Sequence, residues 1–550
     1  MKAKIDNIAQ FLASNAWGLF LFYALLTILF YRNTSLAGLV FDFNGWASVY
    51  EQQQFKDAFN SFAYPGLHQL EQIVFYTLYK LFKFNGVYWY LLFSLLHALS
   101  ALLGYKLILS LFQFIGEELS IRNVKVALLS SLFFLLSPYA ADVVVSKVTV
   151  HYLMSAIFIF SCLIYFLQYL QKLGFRSLLL SCFFFLLALF SLELSYLIPF
   201  AIIFLTVFQI IKRQSKLTLL QSTIPYLLVF SSFLILHRWV VGSFIGHYGA
   251  EVHTRFDIGE LVDHFFYYFN SYVLFYDFWD FRFKMVQQDI VRKYWWVLLM
   301  LVSFSIGIGV YLKWHGKRWF QSSFLFLGMF SIALLPVLNM FCVRLQEIES
   351  DRYSYLASIF IYAFMVNGFF FLNSKVKYAV FIVFLFTNIY FLQRNIEAFE
   401  EMGIVSRGLL DDFRWEDKAK IIILMQPENN HGARAFTTIK EKGSEFAESL
   451  YLERGIDLRD KVELVYEMNI NSIQDSIKIQ VIDSTHVRVE IGGWGTWFWK
   501  YHNGALPFQT QDYHTEMQDN LSFDLILEHP LKEDEVIIYA HGDKWRELNF

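Results

Sequence analysis

The sequence predicts a polytopic α-helical membrane protein that ends in an extracytoplasmic α+β domain. Three observations predict it. Of 550 residues, 56% are hydrophobic and 20% aromatic, more apolar surface than a soluble chain of this length needs. Apolar runs near the length that crosses a hydrocarbon core, roughly 20 residues for about 30 Å, recur between charged loops as far as Leu392. After Arg394 the composition turns polar, and short strand-like runs replace the long apolar ones.

Apolar runs bounded by charge give about eleven spans. They are Ala13–Tyr31, Gly86–Tyr105, Val126–Leu136, Val150–Leu170, Ser177–Phe190, Ser195–Ile211, Leu220–Leu236, Tyr294–Leu312, Phe320–Met340, Tyr353–Leu372 and Tyr378–Leu392. The first follows Met1–Gln10 without a small-residue cleavage site, so it reads as a retained signal-anchor. Leu67–Phe84 differs. His68, Glu71, Gln72, Lys80 and Lys83 recur at helical spacing, which suits a helix lying in the interface.

With that helix flat, alternate loops are short and basic: Lys2/Lys4, Lys106/Arg122/Lys125, Lys172/Arg176, Lys212/Arg213/Lys216, Lys313/Lys317/Arg318 and Lys375/Lys377. Short basic loops are the cytoplasmic signature. The expected N-terminus is therefore cytoplasmic, with the Asp42 loop and the C-terminus outside, in the periplasm if the membrane is a bacterial inner one. The long outer loop Val240–Lys293 is crowded with aromatics, which fits an interface belt or a substrate-gating loop.

Residues 1–394 form the expected membrane domain and 395–550 the extracytoplasmic one. In the latter, Lys420–Met425, Ile477–Ile482, Val487–Ile491, Phe523–Leu527 and Glu535–Ala540 read as strands and Thr437–Arg454 as a helix. The aromatic run Gly492–Tyr501 fits a strand of core aromatics or a sugar platform. The three cysteines, Cys162, Cys182 and Cys342, fall in or beside spans and give no disulfide framework.

Net charge of -3 argues against a nucleic-acid partner. There is no P-loop, no HExxH and no G-x-S-x-G elbow. What remains is a set of ionisable residues on the outer side of the spans. Asp42 and Glu51 lie in the first outer loop, Asp142, Lys147 and His151 in the second, and Glu193 in the third. His237 and Arg238 open the fourth, and Arg344, Glu349, Asp351 and Arg352 lie in the fifth. A charge at a span end can simply snorkel to water. Together, though, these suit a lipid-phosphate substrate: guanidinium forks bind phosphate oxygens, and a carboxylate accepts a proton from an attacking hydroxyl. His97, deep in an apolar span, reads as a hydrogen-bonded core histidine more readily than as a catalyst.

The order of these segments resembles the GT-C glycosyltransferases, polytopic enzymes that use polyprenyl-phosphate sugars. It is most similar to the membrane half of the transmembrane, tetratricopeptide-repeat O-mannosyltransferases. Besides Asp42 after the first span, the resemblance rests on YWYLLFSLLHALSALLGYKL (Tyr88–Leu107) and SPYAADVVVSKVTVHYLMSAIF (Ser137–Phe158). LFSLELSYLIPF (Leu189–Phe200) and SDRYSYLAS (Ser350–Ser358) complete it. It covers about residues 13–372. The chain departs from the family's pattern where a paired acid is Asp42–Phe43, where Lys-Glu is Leu192–Glu193, where a Pro is Ala357, and in lacking the repeats.

The resemblance implies a GT-C-like fold and transfer of a sugar, with inversion, from a polyprenyl-phosphate donor to a protein or glycan acceptor. Asp42 would be the base or acceptor-orienting acid. Arg352 and Arg344 would hold the leaving phosphate with help from Lys147 and His151, and Glu193, Asp142 and Glu51 would support them. Arg352 could equally pair with Asp351, and Glu193 could cap a helix. No metal ligand set is assigned, and a divalent metal is left open. Two other classes compete: a lipid-linked sugar transporter or flippase, which should carry midplane charges and broken helices, and a non-catalytic scaffold whose C-terminal domain does the work.

Overall fold

The computed structural model describes residues 15–35, 37, 39, 42–60, 66–213, 219–244, 246, 257–276, 282–283, 285–287, 289–290, 293–294, 296, 318–340, 351–436, 445–492, 498–499 and 505–550. They form a helical membrane body followed by a sheet-rich C-terminal domain. Among the described residues five helices are long and apolar enough to cross a membrane, which makes this a multi-pass membrane protein. They are Gly86–Phe114 (α5), Val150–Lys172 (α8) with the 3-10 turn Lys147–Thr149 ahead of it, and Leu197–Arg213 (α10) with the turn Glu193–Tyr196. The others are Leu219–Val241 (α11) and Ser374–Asp412 (α15).

A sixth candidate is bent by 56° between Ile121–Leu135 (α6) and Pro138–Val145, the latter a 3-10 turn followed by Ala141–Val145 (α7). The break has a local cause. Pro138 disfavours helical backbone at the residue before it, and Ser137 is extended, its hydroxyl accepting from the Tyr139 amide. Three shorter apolar helices, Ala16–Phe30 (α1), Phe175–Leu189 (α9) and Phe320–Leu334, complete the apolar set; the last is most of Arg318–Leu334 (α13). The span expected at Tyr294–Leu312 lies almost wholly outside the described residues.

Between α1 and α5 the first loop folds into Asp42–Gln52 (α2), Phe55–Asn60 (α3) and Gln69–Phe82 (α4). At 14 residues α4 is about 21 Å long, too short to cross the core. Phe43 anchors the first turn of α2. It is fully buried, with Phe75, Tyr79, Phe84 and Trp89 around its ring at 5.4–6.2 Å. Gly86 opens α5 where a Cβ would stand 1.6 Å from the Ser35 carbonyl oxygen, so only glycine lets the first loop pass there. Two further helices, Ile258–Leu274 (α12) and Asp351–Phe369 (α14), pack together. From Tyr353 to Ala363 the side chains of α14 are all buried, so this helix faces protein rather than lipid.

The 39 residues of α15 run unbroken through Arg394 and Asn395, where the composition changes, and end at Asp412 in the second domain. At about 58 Å, α15 is twice the hydrocarbon thickness. Its C-terminal half packs on Lys420–Asn430 (β1) and Lys544–Glu547 (β10). Gly408 allows this approach, since a Cβ there would meet the Asp543 carbonyl oxygen at 2.4 Å.

The C-terminal domain holds two sheets. In one, β1 lies parallel to both Val462–Ile470 (β3) and Glu535–His541 (β9), in the order β10-β9-β1-β3-β6, with Ala433–Arg434 (β2) paired to β1 and Phe498–Trp499 as β6. The apolar run IIILM is what a strand buried on both faces requires. Glu445–Arg454 (α16) lies between β1 and β3 in the chain. The other sheet is antiparallel: Ile477–Val481 (β4), His486–Ile491 (β5), Ser522–Leu527 (β8) and Tyr513–Asp519 (β7). Phe523 of β8 meets Tyr466 of β3 at 4.7 Å and Phe498 at 4.9 Å, joining the two sheets. Phe498 is thus a core aromatic, while most of the Gly492–Tyr501 run lies outside the described residues.

Candidate functional site

The bend at Pro138 is followed by Asp142, Lys147 and His151 in three successive elements. Asp142 is buried in α7 and Lys147 is fully buried at the start of its 3-10 turn. The Lys147 ammonium donates to the Val144 carbonyl at 3.2 Å and sits 5.1 Å from the centre of the Phe93 ring. Among the described residues, no carboxylate lies within ion-pair reach of it. The turn that carries Lys147 packs directly against α2, the helix that Asp42 begins.

Beside this turn, five titratable side chains gather from four segments. His68 precedes α4, and Glu71 lies in its first turn. His151 is at the start of α8, Glu193 in the turn before α10 and His237 near the end of α11. The backbone brings α4 in: the Leu70 amide donates to the Phe190 carbonyl at 3.2 Å, next to the Glu193 turn. Glu71 Oε1 stands 2.7 Å from His151 Nδ1, an ion-pair contact without the alignment of a hydrogen bond. His68 Nδ1 is 3.7 Å from Glu71 and its Nε2 3.9 Å from Glu193. Glu193 also accepts from the Gly246 amide at 2.7 Å. His237 donates through Nδ1 to the Ser243 carbonyl at 2.7 Å, and among the described residues its buried Nε2 has no hydrogen-bond partner.

Burial pushes the His68 imidazole down to about 4, and the neighbouring His151 and His237 act in the same direction. Glu71 opposes them, and loses. His68 is therefore neutral near pH 7, a polar wedge between two carboxylates. Because the acids approach opposite nitrogens of its ring, they do not surround a common point. Among the described residues, no group of three or more His, Cys, Asp or Glu is arranged to hold a metal ion.

Of the residues singled out from the sequence, His151 and Glu193 join one cluster, while Asp142 in α7 and Lys147 in the following 3-10 turn come just before His151 in the chain. Arg352 is the second residue of α14, half-buried, with its guanidinium 5.5 Å from the Tyr353 ring. That helix packs on α7 and α12. Tyr272 of α12 contacts Ser354 through its hydroxyl, with 2.6 Å between the two oxygens. Glu51 stands apart at the far end of α2, nine residues or about 14 Å along the helix from Asp42. It pairs with Lys83 at 2.5 Å and accepts from the Tyr79 hydroxyl at 2.9 Å, so it braces α2 against α4. The Lys83 ammonium holds its carboxyl below the usual carboxylate range. Arg344 lies outside the described residues, as do the side chains of Asp42 and Asp351.

His68 and Glu71 are the additions. In the sequence they read as the polar face of an interface helix; the available signal was their spacing of three residues at a helix start, which turns both the same way. His97 is a core histidine, bonded through Nδ1 to the Tyr355 hydroxyl at 2.7 Å and through Nε2 to the Leu135 carbonyl at 3.1 Å. No protein-family model matches the chain, and no curated protein matches it either.

Proposed function

We propose that the chain is a GT-C-like membrane glycosyltransferase that moves a sugar from a polyprenyl-phosphate donor to an acceptor on the extracytoplasmic face. The supporting observation is Lys147. A buried ammonium with no acid among the described side chains is expensive, and a donor phosphate supplies the missing charge. Its place against the helix that Asp42 begins supports a base and a phosphate site side by side.

In this reading Asp42 takes the proton from the acceptor hydroxyl as that oxygen bonds the anomeric carbon. The bond from that carbon to the phosphate oxygen breaks on the opposite face, which inverts the configuration. Polyprenyl phosphate leaves with its charge held by Lys147 and the forks of Arg352 and Arg344. His151, oriented by Glu71, and Glu193 keep the outer end of the bundle polar and ordered. The chain crosses a bacterial inner membrane about eleven times, with α2 and α4 lying on its outer surface and the C-terminus in the periplasm.

Asp42→Asn tests the reading. It keeps size and hydrogen-bonding shape but accepts no proton, so transfer falls by about 10²–10⁴-fold at matched protein level, with the melting temperature unchanged. Full product formation by Asp42→Asn would overturn the mechanism.

A further inference from the structure

The C-terminal domain touches the first loop at a point that the proposed chemistry depends on. Helix α16 packs on α2, and a fully buried hydrogen bond joins them: Asn44 Nδ2 donates to Ser449 Oγ at 2.5 Å across 405 positions of sequence. The Ser449 hydroxyl in turn donates to the Glu445 carbonyl at 2.7 Å. The two bonds run in one direction and fix which atom of the Asn44 amide faces the second domain. Asn44 lies two residues after Asp42, and Phe43 between them is locked in its aromatic cage.

The domain that brings Ser449 is itself held firmly. Arg407 of α15 bonds Glu453 of α16, and Arg454 donates to the Leu410 carbonyl at 2.6 Å. From the other side the Trp545 indole donates to the Leu409 carbonyl at 2.8 Å, and its amide to Asp412 at 2.8 Å. α16 therefore stands on the C-terminal half of α15, and the Asn44–Ser449 hydrogen bond joins it to α2.

We infer that Ser449, acting through Asn44, is a positioning residue that sets the placement of the Asp42 helix, making the C-terminal domain a working part of the same site. The inference rests on the glycosyltransferase reading for its catalytic consequence, though not for the contact. A displacement of about 1 Å at a reacting group lowers rates by as much as 10²-fold without weakening binding. Losing the hydroxyl thus lowers kcat and spares the donor KM.

The test uses the full chain in lipid nanodiscs, comparing wild type with Ser449→Ala, Ser449→Thr, Asn44→Ala and the double alanine variant. Two readouts are taken: amide hydrogen exchange, and transfer from a polyprenyl-phosphate sugar. Ser449→Ala is expected to speed exchange in residues 42–52 and leave 86–114 unchanged. It should cut kcat by about 10- to 100-fold with donor KM within about twofold. Ser449→Thr, which keeps the hydroxyl, should recover most of both. The double variant should be no worse than Asn44→Ala, because the two side chains act through each other. Unchanged exchange at 42–52 in Ser449→Ala overturns the coupling whatever the protein catalyses. Faster exchange with wild-type kcat, while Asp42→Asn is inactive, reduces the contact to simple docking. Should Asp42→Asn keep full transfer, the glycosyltransferase mechanism falls, and the exchange arm still decides the coupling alone.

Discussion

The bundle end that carries the Lys147 turn and the C-terminal domain both bury charged groups, and Lys147 in the one is satisfied differently from Asp524 in the other. In the domain Asp524 and Glu467, both buried, have close protein partners. Asp524 takes both arms of Arg488, at 2.7 and 2.9 Å, and accepts from Gln518 at 2.9 Å. Glu467 accepts from Gln426 at 3.0 Å. At the bundle end that carries the Lys147 turn, the described partners of Lys147 are a carbonyl and a ring face, and among the described residues His237 Nε2 has no hydrogen bond. Closed networks are what a fold needs for stability. A buried cation without an acid beside it reduces stability unless a ligand completes it, so Lys147 and Asp524 are the pair that sets a site charge against a structural one.

The sharpest way to break this comparison is to remove one group of each kind. Lys147→Met keeps the length of the side chain and removes its charge. Transfer should fall by about 10²–10³-fold, as when one preorganised charge donor is lost, while the melting temperature stays level or rises, because an uncompensated buried charge has gone. A lower melting temperature with transfer intact would place Lys147 among the structural charges.

Asp524→Asn should do the reverse, lowering unfolding stability by about 1–3 kcal/mol and leaving transfer unchanged. Its pH dependence has a definite sign. The Arg488 guanidinium holds the Asp524 carboxyl below the usual carboxylate range. The contribution is therefore present above the unfolded value near 4 and is lost as pH falls through the folded one. Denaturant titrations of the two proteins should converge in acid. A gap that persists below both values would assign the loss to packing.

The same contrast explains what was legible in the sequence. Spans such as Gly86–Phe114 announce themselves because lipid demands unbroken apolar length. Strand β1 does so because a doubly buried parallel strand needs a run such as IIILM. Strand β3, VELVYEMNI, was invisible. Its Glu463, Glu467 and Asn469 break any apolar pattern, and the partner that makes Glu467 tolerable, Gln426, is 41 positions away. The site divides the same way. Asp142, Lys147, His151 and Glu193 stood out as charges at span ends. The pairing of Glu71 with His151 and the wedging of His68 exist only once α4 docks beside the Glu193 turn. The C-terminal half of α15 was hidden for a related reason: Glu397, Glu400 and Glu401 end the apolar pattern, but the helix continues because β1 and β10 pack on it.

The smallest effect expected belongs to His68, and it tests whether the cluster around it is held together by neutral wedging or by charge. With its imidazole pushed down to about 4 from an ordinary value near 6.5, the folded protein resists a proton that the unfolded chain accepts. Stability is unaffected above about pH 6.5. It declines as pH falls toward 4 and declines no further from this source below that. At pH 5.5 the loss is about 1 kcal/mol by linkage. His68→Gln keeps a neutral polar side chain there and removes the titration. The melting temperatures of the two proteins should therefore run a constant distance apart from pH 8 to 6.5 and shift in the variant's favour between 6.5 and 4. If His68 were instead charged and paired with Glu71 and Glu193, its folded value would lie above 6.5. The variant would then lose ground as pH falls through that value, so the sign of the difference decides between the two arrangements.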